Sequence, residues 1–138
     1  MIFGVGTDLC GIARFERMLA GDGDGIARRI LAASELDEFA RVKQPAHFLA
    51  KRFAAKEALG KALGTGIRAP VLLRAIAVTH DDLGKPGFAF DDALTAWMHA
   101  RGLRAHLSLS DETEHALAFV VVERTENTAS EPPRPDRS

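Results

Sequence analysis

The chain opens with an apolar, glycine-rich segment that is followed by apolar residues at helical spacing. Residues 2–9 are β-compatible, and their glycines predict a strand that another backbone or a ligand approaches closely. Ile12, Phe15 and Leu19 repeat at helical spacing, which predicts a helix directly after the strand. The alternating glycines and aspartates of residues 21–25 predict a flexible loop that ends this helix.

Two short helices and one long helix are predicted in the middle of the chain. The first short helix is expected around residues 26–30. Ser34 resembles the N-cap of the second, which we expect Pro45 to close. The long helix should run from about 46 to 63, because this stretch has strong helix formers and no proline, and Gly64 begins a glycine-rich stop.

The second half of the chain predicts a small sheet and one more helix. Its strands are expected at 75–79, 87–90, 104–109 and 117–123, with a helix near 92–101. The pattern indicates an α+β fold in which a small antiparallel sheet packs with helices. We expect one domain over residues 1–124 and a disordered, polar, proline-rich tail over 125–138.

Composition narrows the classes of function. The chain has 138 residues, 46% of them hydrophobic, which is enough for one core. Its net charge of −1 gives no overall attraction to nucleic acid or to an anionic membrane, so neither is an expected partner. The single cysteine, Cys10, excludes an internal disulfide framework, and no apolar run is long enough to span a membrane. A cytoplasmic protein is expected.

Two cations fall inside the apolar arc of the long helix. At 100° per residue, Arg52 and Lys56 lie among the large apolar side chains that would face the core. A buried charge needs an opposite charge, so the pair suggests a buried anion. The alternative is that both side chains extend outward along their aliphatic stems. Gly60 continues the same row and predicts a notch for a ligand or a neighbouring chain.

Asp8, Glu57 and Lys61 form a second candidate group. Glu57 and Lys61 lie one helical turn apart. A surface ion pair that stabilises the helix by about 0.3 kcal/mol would account for both residues without a functional site. Together with Asp8 at the end of the first strand, however, Glu57 offers an incomplete shell of hard oxygen ligands. Mg²⁺ suits such a site, because it keeps waters and takes remaining ligands from phosphate.

His106 is the histidine most suggestive of a site. Strand alternation places His106, Ser108 and Ser110 on one face, although simple solvent exposure would also explain that polar face. The five histidines show no helical i, i+4 pair, so a histidine-based metal site is not expected. Cys10 is expected to be a buried, inert thiol.

These segments resemble the signature motifs of one family, the holo-acyl-carrier-protein synthases. The resemblance covers nearly all of residues 2–123 in the family's order. It rests on Gly4-Val5-Gly6-Thr7-Asp8-Leu9, on Arg52-Phe53-Ala54-Ala55-Lys56-Glu57-Ala58 with Lys61 and Gly64-Thr65-Gly66-Ile67, on Gly84-Lys85-Pro86, and on His106-Leu107-Ser108-Leu109-Ser110-Asp111-Glu112. Two positions depart from the pattern: Asp111 is histidine in many relatives, and His115 stands near a place that is often aromatic.

The resemblance implies a reaction and a set of roles. The single-half fold of the 4′-phosphopantetheinyl transferases would move that group from coenzyme A to a serine of acyl carrier protein, for fatty acid synthesis. Asp8 and Glu57 would bind Mg²⁺, and Lys61 would contact the phosphates. The serine proton would pass to Glu57, to a water that it orients, or to a neutral Lys61. Coenzyme A binding is assigned to Arg52, Lys56, Lys61, Gly64, Lys85 and His106.

The resemblance also implies partners. Arg14 and Arg17 would meet the acidic helix of the carrier, with Arg28 and Arg29 as further docking candidates. Members of this family are homotrimers with sites between subunits, so a homotrimer is expected.

Three alternatives remain open. A silent module would bind coenzyme A without reacting, although the presence of Asp8, Glu57 and Lys61 together argues against it. A transferase of secondary metabolism would usually be about twice this length. A purely structural trimer is the third alternative.

Overall fold

The computed structural model of the chain describes residues 1–125 and shows an α+β fold, as predicted. Its elements are β1 (Ile2–Gly11), α1 (Ile12–Asp22), α2 (Asp24–Ile30), α3 (Ala33–Phe39), α4 (Pro45–Leu63), a 3-10 turn (Leu73–Ala75), β2 (Ile76–His80), β3 (Pro86–Phe90), α5 (Asp92–Ala100), β4 (Leu103–Asp111) and β5 (His115–Arg124). Each predicted strand and helix of the second half is confirmed to within one or two residues. Apart from Thr125, the predicted tail lies outside the described residues.

Three strands form an antiparallel sheet in the order β1-β5-β4, and β2 and β3 form a separate antiparallel pair. The register places Asp8 of β1 opposite Ala118 of β5, and Ala118 opposite Leu109 of β4. Helix α4 packs across one face of this sheet. On that face Ala116, Ala118, Val120 and Val122 of β5 are all fully buried.

The glycines of β1 let α4 approach the strand backbone. A Cβ at Gly4 would lie 2.0 Å from the carbonyl oxygen of Ala62, and one at Gly6 would lie 2.1 Å from that of Ala58. No side chain fits at these distances, so the predicted close approach to β1 is confirmed, and its partner is α4. The notch at Gly60 is likewise filled by the chain itself, since a Cβ there would lie 2.9 Å from the carbonyl carbon of Gly66.

The other face of the sheet is largely exposed among the residues that the structure describes. Side chains alternate along β1, so Val5 and Leu9 point away from α4 and are 55% and 64% exposed. Leu117 and Phe119 of β5 lie on the same outer face, and each is 42% exposed. This open apolar face contrasts with the buried inner face.

Three sequence predictions about helix ends are wrong. The expected loop at 21–25 is reduced to Gly23, whose φ of 55° allows a single residue to separate the end of α1 from the start of α2. Ser34 is not an N-cap, because α3 begins after Ala32, whose N–H donates to Glu35 Oε1 at 3.0 Å. Pro45 is the first residue of α4 rather than the end of α3, and its missing N–H costs nothing at that position.

A fully buried carboxylate, that of Glu35, connects α3 to α4 and β2. Its Oε1 accepts from Lys56 Nζ at 2.5 Å, and its Oε2 accepts from Arg52 at 3.0 Å and from the Val78 N–H at 3.0 Å. Arg52 also binds Glu38 at 3.1 Å, so the cluster contains two cations and two carboxylates. The suggested buried anion is therefore present, and the alternative of outward extension is wrong.

Lys56 uses all three of its N–H donors inside the protein. Besides Glu35, its ammonium donates to the carbonyl oxygens of Ile30, at 2.7 Å, and Leu73, at 3.0 Å. Burial lowers the pKa of Lys56, and the charge of Glu35 opposes that change. The side chain ties the end of α2 and the 3-10 turn to the middle of α4.

Replacement of Glu35 tests how much the fold depends on this cluster. Glu35→Gln should lower the free energy of unfolding by about 3 kcal/mol, because it leaves Lys56 and Arg52 without their buried counter-ion. Urea denaturation measures the change. Glu38→Gln is the matched control, since its side chain is 53% exposed and its loss should cost under about 1 kcal/mol. Equal effects of the two changes would contradict a central role for Glu35.

Candidate active site

Asp8 and Lys61 meet where β1 crosses the C-terminal half of α4. Lys61 Nζ lies 3.2 Å from Asp8 Oδ1 and donates to the Thr7 carbonyl oxygen at 2.9 Å. The Asp8 side chain is 17% exposed and that of Lys61 is 54% exposed. The glycines of β1 make this meeting possible, because they allow α4 to lie against the strand.

Glu57 lies one turn before Lys61 on α4 and shares its surroundings with Asp8. Partial burial is the main cause that raises the pKa of Glu57, and the negative charge of Asp8 raises it further. The charges of Lys61 and Arg14 act in the opposite direction. Two carboxylates are thus close enough to repel each other in a partly buried place, where a cation would stabilise both.

Cys10 lies beside this pair and stays a thiol. Its Sγ donates to Asp8 Oδ2 at 3.1 Å, and the side chain is 3% exposed. Burial and the hydrogen bond to Asp8 raise the pKa of the thiol to about 12. The structure agrees with the expectation of a buried, inert thiol at Cys10.

The donors at Asp8 and Glu57 suit Mg²⁺ better than a softer metal. Both groups are carboxylates, both remain partly open to solvent, and the protonated thiol of Cys10 is occupied with Asp8. A hard cation with two protein ligands can complete its shell from water and phosphate.

A second cluster of metal-binding side chain types, formed by Glu112, Glu114 and His115, lies at the β4–β5 turn, where all three residues are exposed.

His106 lies on the opposite face of the sheet from Asp8. The register places His106 opposite Val121, an outward position, whereas Asp8 shares the inner face with Ala118. Side chains on opposite faces of one sheet cannot meet around one ligand. The structure therefore does not bring His106 to the Asp8–Glu57–Lys61 cluster of the same chain.

A cavity of about 530 Å³ opens beside His106, between β3, α5 and β4. Lys85, just before β3, and Arg104 also line it. Phe88 and Phe90 of β3 line it as well and stack with ring centroids 5.8 Å apart. The cavity combines aromatic surface with basic groups. Anionic, aromatic ligands such as nucleotides match that combination.

Arg52 and Lys56 are not available to a ligand in this structure. Arg52 is 4% exposed and Lys56 is fully buried, and both bind Glu35. We therefore drop the expectation that they hold phosphates, because moving them would break the buried cluster. Gly64, by contrast, is exposed and ends α4 with a φ of 77°, one turn beyond Lys61.

The predicted docking arginines lie on α1 and α2. Arg14, Arg17 and Arg28 are exposed. The Arg14 guanidinium lies over the rings of Phe15 and Phe53, at 5.7 and 5.5 Å, and its charge acts to lower the pKa of Glu57. Arg29 is paired with Asp22 on α1, so its charge is already balanced.

Sequence reasoning missed two residues that hold others in place. Glu35 anchors Lys56, and Glu123 binds His106 Nε2 through Oε1 at 2.7 Å. The apolar arc around Arg52 and Lys56 indicated that an anion was needed but could not identify it. No signal in the sequence pointed to Glu123, because its partner lies on another strand.

Comparisons with known proteins agree with the motifs. A family model described as the 4′-phosphopantetheinyl transferase superfamily matches residues 4–120. The chain is 66% identical over 124 residues to the holo-[acyl-carrier-protein] synthase of Laribacter hongkongensis, covering 89% of this chain and 99% of that protein. The holo-[acyl-carrier-protein] synthase structure from Neisseria meningitidis matches with a TM-score of 0.86 and 49% identity, covering 89% and 99% of the two chains.

A further structure, of a holo-(acyl-carrier-protein) synthase from Bacillus anthracis, was solved in complex with coenzyme A (3′,5′-ADP). It matches with a TM-score of 0.77 and 38% identity, covering 91% of this chain and 99% of that chain. Among the described residues, no helix is both long enough and apolar enough to cross a membrane.

Proposed function

The chain belongs to the 4′-phosphopantetheinyl transferase superfamily, as a member of its holo-[acyl-carrier-protein] synthase family, and from this membership we propose its reaction. It transfers the 4′-phosphopantetheine group of coenzyme A to a serine of apo-acyl carrier protein and releases 3′,5′-ADP. The observation that carries the proposal is the cluster of Asp8, Glu57 and Lys61 at the crossing of β1 and α4.

The reaction is a phosphoryl transfer, in which charge stabilisation dominates. The serine oxygen forms a bond to the β-phosphorus of coenzyme A, and the bond from that phosphorus to the bridging oxygen breaks, so 3′,5′-ADP leaves with the electron pair. Asp8 and Glu57 would hold Mg²⁺, which when bound neutralises the pyrophosphate and the leaving phosphate. Lys61, with two of its three N–H donors on Thr7 and Asp8, has the third for a phosphate oxygen.

The serine proton passes to Glu57, directly or through a water that Glu57 orients. Glu57 is favoured because its carboxylate is partly open to solvent beside Asp8, where a water could relay the proton. Lys61 is a weaker candidate for the base, because it carries a positive charge that the neighbouring Asp8 stabilises.

The nucleotide end of coenzyme A lies in the cavity beside His106 and Lys85. The basic groups at its mouth suit phosphates, and the stacked Phe88 and Phe90 suit a purine. Because His106 and Asp8 lie on opposite faces of one sheet, a ligand that reaches both must lie between two subunits.

The protein is proposed to be a homotrimer that buries the outer face of the sheet. Val5, Leu9, Leu117 and Phe119 give this face an apolar surface that a monomer would expose to water. Contact through it would bring His106 of one subunit towards the Asp8 edge of its neighbour. Fatty acid synthesis in the cytoplasm is proposed as its setting, because the chain matches 99% of the length of a relative that is named for acyl carrier protein.

The first experiment tests the transfer and its metal together. Apo-acyl carrier protein incubated with the enzyme, coenzyme A and Mg²⁺ should gain one phosphopantetheine by intact-mass spectrometry, and EDTA should abolish the gain. Asp8→Asn and Glu57→Gln should reduce turnover at least about a thousandfold, because each removes a ligand of a charge-neutralising metal.

Glu112→Gln is the matched control, since it alters the other acidic group, at the β4–β5 turn, and should leave turnover unchanged. A fully active Glu57→Gln enzyme would contradict the site. If coenzyme A binds but no carrier is modified by the wild type, the chain is instead a silent binding module.

Charge reversal at Arg14 tests carrier docking. Arg14→Glu should raise the KM for acyl carrier protein about tenfold, because it places a negative charge against an acidic helix, while the KM for coenzyme A changes less than about twofold. Arg41→Glu is the control, since Arg41 is exposed and lies outside α1 and α2, so neither KM should change. An equal loss of affinity for both substrates would refute the docking role.

Mixed subunits test whether the site is shared. Trimers made only of Glu57→Gln subunits, or only of His106→Ala subunits, should be poorly active at a low concentration of coenzyme A. Co-expression should restore turnover, because a neighbour that retains Glu57 can meet one that retains His106. Native mass spectrometry should show mixed trimers. Mixed trimers with no gain in turnover would mean that each site lies within one chain.

A further inference from the structure

Glu123 lies beside two of the basic residues that line the cavity, Arg104 and His106. It is directly opposite Arg104 in the β4–β5 register, and His106 lies two residues further along β4 on the same face. Its Oε1 is 2.7 Å from His106 Nε2. The hydrogen bond to His106 is the main cause that lowers the pKa of Glu123, which therefore stays ionised near neutral pH.

A carboxylate bonded to one ring nitrogen fixes the orientation of an imidazole. The ionised carboxylate of Glu123 only accepts, so Nε2–H of His106 donates to it, and Nδ1, on the other side of the ring, is left for a ligand; in the imidazolium form Nδ1–H donates to an anion. The His106 side chain is 46% exposed, and without Glu123 its ring would rotate freely in water. Both His106 and its neighbour Arg104 line the cavity.

We propose that Glu123 is a positioning residue for coenzyme A, which holds the His106 imidazolium so that its Nδ1–H donates to a phosphate of the nucleotide. This inference rests on the proposed function. Glu123 does not touch the nucleotide itself and acts through His106. Its role is analogous to that of carboxylates that orient metal-binding histidines.

The negative charge of Glu123 has an opposing effect, since it repels the phosphates. Arg104, directly across the strand pair, balances that charge. A short hydrogen bond that removes ring freedom should therefore outweigh the residual repulsion. If orientation of the ring dominates, loss of Glu123 raises the KM for coenzyme A, and if repulsion dominates, it lowers that KM. One measurement therefore separates the two effects.

A second exposed glutamate–histidine pair offers a matched control. His115 Nδ1 lies 2.8 Å from Glu112 Oε1 at the β4–β5 turn. Neither residue lines the cavity that contains His106 and Lys85. Glu112→Ala removes the same kind of hydrogen bond at a place where the proposal assigns no ligand.

The test measures steady-state kinetics of Glu123→Ala, Glu123→Gln and His106→Ala, and of the double variant Glu123→Ala/His106→Ala. Glu123→Ala should raise the KM for coenzyme A about fivefold, the value of one ordinary hydrogen bond. Glu123→Gln, which keeps an acceptor, should raise it less. The double variant should match His106→Ala, because Glu123 acts only through that ring. kcat and the KM for carrier of the two Glu123 variants, and the native mass of every variant, should stay at wild-type values, as should all parameters of Glu112→Ala.

Several results would overturn the proposal. A KM for coenzyme A that is unchanged or lower in Glu123→Ala would show that Glu123 is only an opposing charge. Additive losses in the double variant would show that it acts independently of His106, and a changed native mass would make it an interface residue. Calorimetric binding of 3′,5′-ADP to the same variants tests Glu123 even without transfer. A wild type that binds 3′,5′-ADP but modifies no carrier would refute the proposed function alone.

Discussion

The buried carboxylate of Glu35 determines where α4 lies, and most of the molecule depends on that helix. Its two oxygens bind one residue from each of two turns of α4, together with backbone N–H groups of Ala32 and Val78. A buried ion pair rarely stabilises a protein more than apolar packing would, because both charges lose their water. It does impose a geometry, since donors and acceptors must align. We infer that this cluster fixes the rotation of α4 about its axis, and with it the direction of Glu57, the residue after Lys56.

The second constraint on α4 is its close contact with β1, which leaves no space for a side chain at Gly4 or Gly6. Ala58 and Ala62 are buried against Gly6 and Gly4, and a single methyl group on either glycine would overlap a helix carbonyl. The helix is held by ionic contacts on the side of Glu35 and by close backbone contact on the side of the sheet. Lys61 and Asp8 meet between a strand and a helix that cannot slide apart without breaking one of these contacts. The candidate site is rigid because of packing that begins outside it.

The sequence predicted the helices and strands more accurately than the turns and side-chain contacts that connect them. Helix α4 and the strands of the second half are fixed by local composition, so their bounds were found almost correctly. The end of α1 depends on a single glycine, Gly23, and the start of α3 depends on the Glu35 side chain, which accepts a hydrogen bond from the Ala32 N–H. Both of these helix boundaries were predicted wrongly. Asp8, Glu57 and Lys61 were grouped by motif, and the structure places Asp8 against Lys61 and within electrostatic reach of Glu57. Arg52 and Lys56 share that motif and serve the core instead, because only three-dimensional packing reveals the anion they bind.

The two faces of the sheet explain why one chain would not suffice for the proposed reaction. The inner face carries Asp8 and is closed by α4, whereas the outer face carries His106 and a group of exposed apolar residues. Burial of apolar surface is favourable at roughly 25 cal/mol per Å², so a partner surface that covered the outer face would gain stability from it. If that partner is another copy of the chain, the association that removes the apolar face from water also brings a nucleotide cavity to a second set of carboxylates. The same association would then stabilise the assembly and complete the site, so a substitution on the outer face would affect both.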